Sequence, residues 1–165
     1  MRLVVALLLC LAAVPPAHAQ TPVPVIGSYD EQNAFARILR GELPAAKVYE
    51  DRHILVFMDH RPVAPGHVLI ISRTSKARNL LEMSPRDMNR LMKVAQRVMR
   101  AQFKALGAEG ITLTQNNGAG QTVPHLHIHL IPRRLGIEVF ARESGAPVPI
   151  AELQPIADKI AAAMR

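Results

Sequence analysis

From Asp30 onward the apolar positions alternate between a helical and a strand spacing, and the order of those changes predicts the elements of the chain. Ala34, Phe35, Ile38 and Leu39 recur every three to four residues, with Asp30 placed to cap the start and Gly41 just beyond the end. Lys47 to Glu50 and His53 to Met58 then read as a hairpin pair around Asp51-Arg52, and His67 to Ser72 as a third strand. Ser84-Pro85-Arg86-Asp87 is a strong helix start, with a capping hydroxyl, proline in the first turn and a carboxylate at the third helical position. The apolar run that follows, Met88, Leu91, Met92, Ala95, Val98, Met99, Phe103 and Leu106, keeps a 3.6-residue period as far as Gly107. Ile111 to Gln115 and His125 to Ile131 supply two more strands, and Ile150 to Met164 a terminal helix covering a sheet edge or face. Five strands, one long helix and shorter flanking helices on tight connections give an α+β fold, with no internal repeat.

The amino terminus follows a different pattern. Arg2 supplies a short positive region, Leu3 to Val14 an apolar stretch too short to span a bilayer comfortably, and Ala17-His18-Ala19 a small-x-small cleavage site. Residues 1–19 therefore read as a secretory signal, residues 20–29 as a tether kept extended by Pro22 and Pro24, and residues 30–165 as a single domain. An uncleaved anchor is the competing reading of the leader. A lipoprotein is disfavoured because Leu9 precedes Cys10 where a small residue is expected. Cleavage removes Cys10 and leaves the mature chain without cysteine, which suits a periplasmic or secreted location.

Composition limits the partners. With 49% hydrophobic and 20% charged residues the chain has enough apolar surface for a core of its own. Its formal charge of +7 favours anionic ligands. Nucleic acid is not implied, since aromatics are 4% and the basic residues are scattered among acids rather than interleaved with stacking rings. No stable membrane insertion is expected once the leader is gone.

His125-Leu126-His127-Ile128-His129 is the candidate chemistry. In a strand the three rings share one face at intervals of about 7 Å, while Leu126, Ile128 and Leu130 face the core. A lone strand histidine is ordinarily a hydrogen-bonded structural residue. Three in register would demand three separate sets of polar partners if merely buried, so a site is the better reading. Metal binding is the alternative, since imidazole is the commonest metal ligand. Against it, positions rising in a line do not converge tetrahedrally, and no cysteine completes a soft site; neither a metal nor a cofactor is expected. Gln115 to Pro124 leads into the run with glycines, amides and a hydroxyl, groups that let backbone approach and hydrogen-bond phosphate oxygens. The same segment also reads as plain hairpin chemistry.

These residues resemble the histidine-triad (HIT) superfamily of nucleotide hydrolases and transferases. The resemblance lies in Gly120-Gln121-Thr122 before His125 to Ile131, in Phe57 to Ile71 and in Ala34 to Ala45, the last similar to the Hint-like branch. It implies a HIT-like five-stranded antiparallel sheet, commonly paired into a homodimer, and a nucleotide-type substrate. It also implies that His127 attacks the α-phosphorus to form a covalent nucleotidyl-histidine, flanked by His125 and His129 donating to non-bridging oxygens and joined by His67. Gln121 and Thr122 would orient the phosphate and leaving group, Thr122 passing it a proton. Asn116 would lie near the α-phosphate or ribose, with Asn117 as its competitor, Asp59 would receive the ribose hydroxyls, and Phe35, Ile38 and Phe57 would line the base. The Hint-like reading predicts a phosphoramidase or acyl-nucleotide hydrolase. A Fhit-like dinucleoside polyphosphate hydrolase is the alternative, supported by Arg133 and Arg134, and a non-catalytic metal- or nucleotide-binding protein is the contrasting class.

Overall fold

The computed structural model describes residues 23–136 and 145–165; the leader at 1–19 and the first residues of the tether lie outside the described residues. The elements run α1 (Ala34–Leu39), β1 (Lys47–Glu50), β2 (Ile54–Met58), β3 (Val68–Ser72), α2 (Pro85–Leu106), β4 (Gly110–Thr114), β5 (His127–Arg133) and α3 (Ile150–Ala163). The strands form one antiparallel sheet in the order β1-β2-β3-β5-β4.

β2 and β3 lack polar alternation because both of their faces are covered, and every residue in them is buried. Ile54, Val56 and Met58 join Val68, Ile70, Ile128 and Leu130 in the larger core, which α2 and α3 close from one side. Leu55, Phe57, Leu69 and Ile71 point the other way and form a smaller core with Phe35 of α1. Register carries this division across the sheet: Leu69 stands opposite His129 and Ile71 opposite His127. Directly paired residues share a face, so β5 places its two histidines on the small-core side and its aliphatics in the main core.

The long helix starts and stops as its sequence predicts. The Ser84 side chain accepts the Asp87 amide, Pro85 opens the first turn, and Gly107 closes the helix at φ 59°. α3 settles over the face of the sheet rather than its edge, against β1, β2 and α2. Three expectations shift. Asn33, not Asp30, caps α1, its Oδ1 accepting from Phe35 and Ala36 at 3.0 Å. Asp30 Oδ1 takes the Gln32 amide instead and so makes the turn before the helix. β5 begins at His127, because the His125 amide turns back to the Val123 carbonyl (2.9 Å) and the Leu126 amide to the Ala77 carbonyl (2.9 Å). The tether's described part, Val23 to Tyr29, is tied to the body: buried Arg78 donates to the carbonyls of Pro24 (3.3 Å) and Val25 (2.9 Å), and Asn79 to that of Val25 (2.6 Å).

Gly66 sets the entry to β3. Its φ of +85° is one that side-chain-bearing residues rarely adopt, and a Cβ there would stand 2.2 Å from Leu106 Cδ1. Buried Gln102 of α2 donates to the Gly66 carbonyl at 2.9 Å, which fixes the turn that delivers His67.

Candidate active site

A cavity of about 430 Å³ opens on the small-core face, within the range of ~300–1,000 Å³ typical of small-molecule sites. Its walls are mostly apolar, with Phe35 and Ile38 of α1, Phe57 of β2 and Leu69 of β3 among them. Asp59, His60, Thr122, His127 and His129 are the side chains there with polar heads. Few convergent polar groups in an apolar hollow is the form expected of a site that binds a ring and orients a polar head.

His127 is held in one orientation. Its Nδ1 lies 2.8 Å from the carbonyl of His125, which can only accept, so Nδ1 carries the proton and Nε2 keeps a lone pair. Phe35 meets the ring edge-on at 5.0 Å, and the His129 ring stands 4.8 Å away. Burial pushes the His127 pKa down to about 4, helped by the neighbouring His129 and opposed by the carbonyl bond. His129 is likewise pushed down to about 4, by burial first and by His67 second. Both rings are uncharged at neutral pH. A fixed, neutral imidazole with a free nitrogen facing a cavity is a competent nucleophile.

His129 and His67 form a pair, with His129 Nδ1 3.0 Å from His67 Nε2, and Asp59 Oδ2 stands 3.5 Å from His67 Nδ1. His129 Nε2 is buried with no protein partner. Burial is again the largest cause lowering the His67 pKa, with Asp59 opposing it. Asp59, His67 and His129 each offer a ligand atom within 4.8 Å of the others, so this is where a metal ion could be held.

A HIT domain model matches residues 40–136, well over half of the chain. The chain belongs to the HIT domain family. A Hit-like protein of Bartonella henselae, described as involved in cell-cycle regulation, superposes with a TM-score of 0.78 at 42% identity, covering 83% of this chain and 99% of that one. A zinc-bound histidine-triad protein of Mycobacterium smegmatis follows at 0.70 and 32%, covering 81% and 93%. Among characterised relatives, the adenylylsulfatase HINT3 of Arabidopsis thaliana is 38% identical over 112 residues, 67% of this chain and 56% of that protein.

Within this HIT fold the residues singled out from sequence divide into two groups. His127, His129, Thr122, Asp59, Phe35, Ile38 and Phe57 line the cavity. His67 stands behind His129 instead of in the wall. His125 does not line the cavity. Its Nε2 faces the Ser72 carbonyl at 3.1 Å and its Nδ1 the Tyr29 hydroxyl at 2.6 Å, so both nitrogens are occupied and neither is left to donate to a phosphate. Gln121 is a second such residue. It is buried, with its amide nitrogen donating to the carbonyls of Arg78 and Val123 (2.9 Å for the latter), so it shapes the loop rather than the cavity wall. Asn116 does not line the cavity either, and Asn117 is committed to the loop, its Oδ1 accepting the Leu80 amide at 2.8 Å. Sequence reasoning missed Tyr29, His60 and the wall made by Val148, Pro149 and Ile150, which is anchored by the Val148 amide on the His60 carbonyl at 2.8 Å. Tyr29 and the Val148–Ile150 wall have no local signal, because each joins the site through a contact distant in sequence, whereas His60 follows Asp59 directly and could have been read from that neighbour.

Proposed function

We propose that the protein hydrolyses a nucleoside phosphoramidate or acyl-nucleotide at its α-phosphorus through a covalent nucleotidyl-histidine on His127. The observation that carries this reading is the His127 ring itself, neutral, with its proton held on the His125 carbonyl and its other nitrogen free beside the cavity. Attack by Nε2 forms a nitrogen–phosphorus bond as the bond from phosphorus to the leaving group breaks. The departing amine or oxygen takes a proton, for which Thr122 is the placed hydroxyl. Water then attacks the phosphorus as its bond to Nε2 breaks, the proton that water loses restores the Thr122 hydroxyl, and nucleoside monophosphate and the neutral ring are freed. The apolar wall of Phe35, Ile38 and Phe57 takes the base, and Asp59, an acceptor-only carboxylate, takes the ribose hydroxyls. The name of the plant relative, adenylylsulfatase, supports a mixed anhydride at the α-phosphorus as a related substrate. The polyphosphate reading loses support: Arg133 bonds Thr112 Oγ1 (3.1 Å), Arg134 bonds the Leu106 carbonyl (3.1 Å), and neither lines the cavity.

Two further parts of the reading concern where and how the protein works. The leader supports a periplasmic or secreted enzyme, and an unprocessed amino terminus on cytoplasmic protein would refute it. The outer edge of β4, the strand that carries half-exposed Leu113, supports a homodimer, to be checked by sedimentation.

The deciding experiment incubates the protein with adenosine phosphoramidate and, separately, diadenosine polyphosphate in chelator, as wild type and as His127→Ala. The expected result is AMP release from the phosphoramidate that falls at least ~1,000-fold in the variant, with an adduct trapped on His127. Turnover that requires added metal and survives the substitution would refute the mechanism, and turnover of the polyphosphate alone would reverse the choice of substrate. No turnover with tight nucleotide binding would place the protein in the non-catalytic class.

A further inference from the structure

The hydroxyl of Tyr29 lies 2.6 Å from His125 Nδ1, across 96 residues of sequence. The other nitrogen of that ring faces the Ser72 carbonyl at 3.1 Å. A carbonyl cannot donate, so Nε2 carries the proton, and a neutral ring with its proton there has a bare Nδ1. The Tyr29 hydroxyl must therefore be the donor. The peptide carbonyl of this same residue, His125, accepts the Nδ1 proton of His127. Ring and carbonyl belong to one residue lying outside the β5 ladder; the peptide that carries the carbonyl is held at the Leu126 amide by the Ala77 carbonyl (2.9 Å), and the two ring contacts add a side-chain hold to it.

We propose that Tyr29 is a positioning residue for the nucleophile: its hydroxyl locks the tautomer and rotation of the His125 ring, and His125 in turn holds the carbonyl that orients His127. This rests on the nucleotidyl-histidine reading given above. Tyr29 does not line the cavity, so it acts through His125 and not on the substrate. Its own placement is built. The segment before it is gripped at the Pro24 and Val25 carbonyls by buried Arg78, and Lys76 lies 5.9 Å from the centre of its ring. The arm between leader and domain thus does more than space them, since it brings the one donor that His125 needs. Phe35, edge-on to both His125 (6.1 Å) and His127 (5.0 Å), leaves the His125 ring bounded on a second side.

Tyr29→Phe removes the hydroxyl and keeps the ring. The expected result is a kcat lower by about 10–100-fold, the usual loss when a group that orients a catalytic residue is removed, with KM changed less than twofold. Nitrogen NMR of the histidine rings supplies the readout that needs no substrate. Wild type should show His125 protonated at Nε2 with a hydrogen-bonded Nδ1. In Tyr29→Phe the His125 Nδ1 resonance should move to the unbonded position, and the His127 resonances should move with it. His125 and His127 nitrogen shifts unchanged by the substitution would overturn the proposal, as would an unchanged kcat in a catalytically active protein. If wild type proves inactive on every nucleotide tried, the hydrolase reading fails while the NMR comparison still decides whether Tyr29 fixes the two rings. Should Tyr29→Phe not fold, 3-fluorotyrosine at position 29, a stronger donor of the same shape, must shift His125 Nδ1 and then His127, or the proposal falls.

Discussion

Acid should destabilise this protein through its buried histidines, and His127→Asn should remove a measurable share of that sensitivity. In the unfolded chain the ring takes a proton near pH 6.5, whereas in the folded protein burial holds its pKa at about 4. Between those values the unfolded state binds a proton that the folded state refuses, so stability rises with pH across the window and is lost as pH falls through it. Each pH unit is worth about 1.4 kcal/mol, so one ring accounts for about 3 kcal/mol between pH 6.5 and 4. His125 and His129, also held at about 4, act in the same direction. Because the rings lower one another's pKa values, their contributions are not additive. The assay is urea unfolding at half-unit steps from pH 7.5 to 4.5, followed by circular dichroism. Wild type should lose stability steeply below pH 6.5, and His127→Asn, whatever its stability at pH 7.5, should show a slope shallower by up to about 1.4 kcal/mol per pH unit. Parallel curves for the two proteins would mean that His127 titrates alike in both states and is not the buried neutral group on which the chemistry depends.

Two other substitutions probe the frame. Gly66→Ala forces a positive-φ backbone and drives a Cβ to 2.2 Å from Leu106 Cδ1, so it should cost about 2–4 kcal/mol in chemical denaturation and also slow turnover, since the same turn delivers His67. Ile128→Ala, by contrast, opens the main core opposite the site face and should cost about 2–5 kcal/mol while KM, set on the other side of the sheet, stays within twofold.

Much of this protein was legible along the chain because the relevant forces are local. Ser84, Pro85 and Gly107 bound a helix by satisfying or omitting backbone hydrogen bonds within a turn, and the alternation from Leu126 to Leu130 assigns core and site faces through strand geometry alone. That periodicity sufficed to put His127 and His129 on one face, and the motif residues around them pointed to a phosphate-handling site. It could not fix what each ring touches. His125 shares the spacing of its neighbours, yet it lies outside the ladder and is satisfied on both sides by Tyr29 and Ser72, partners 96 and 53 residues away. Gln121 reads like a phosphate ligand until Arg78 and Val123 are seen to hold its amide indoors. The pairing of His67 with His129, the charge state of the rings and the shape of the cavity likewise arise only when burial and distant contacts act together. A hydrogen bond's partner depends on where the chain returns, and a pKa on how much water the fold excludes; neither is a property of neighbouring residues in sequence.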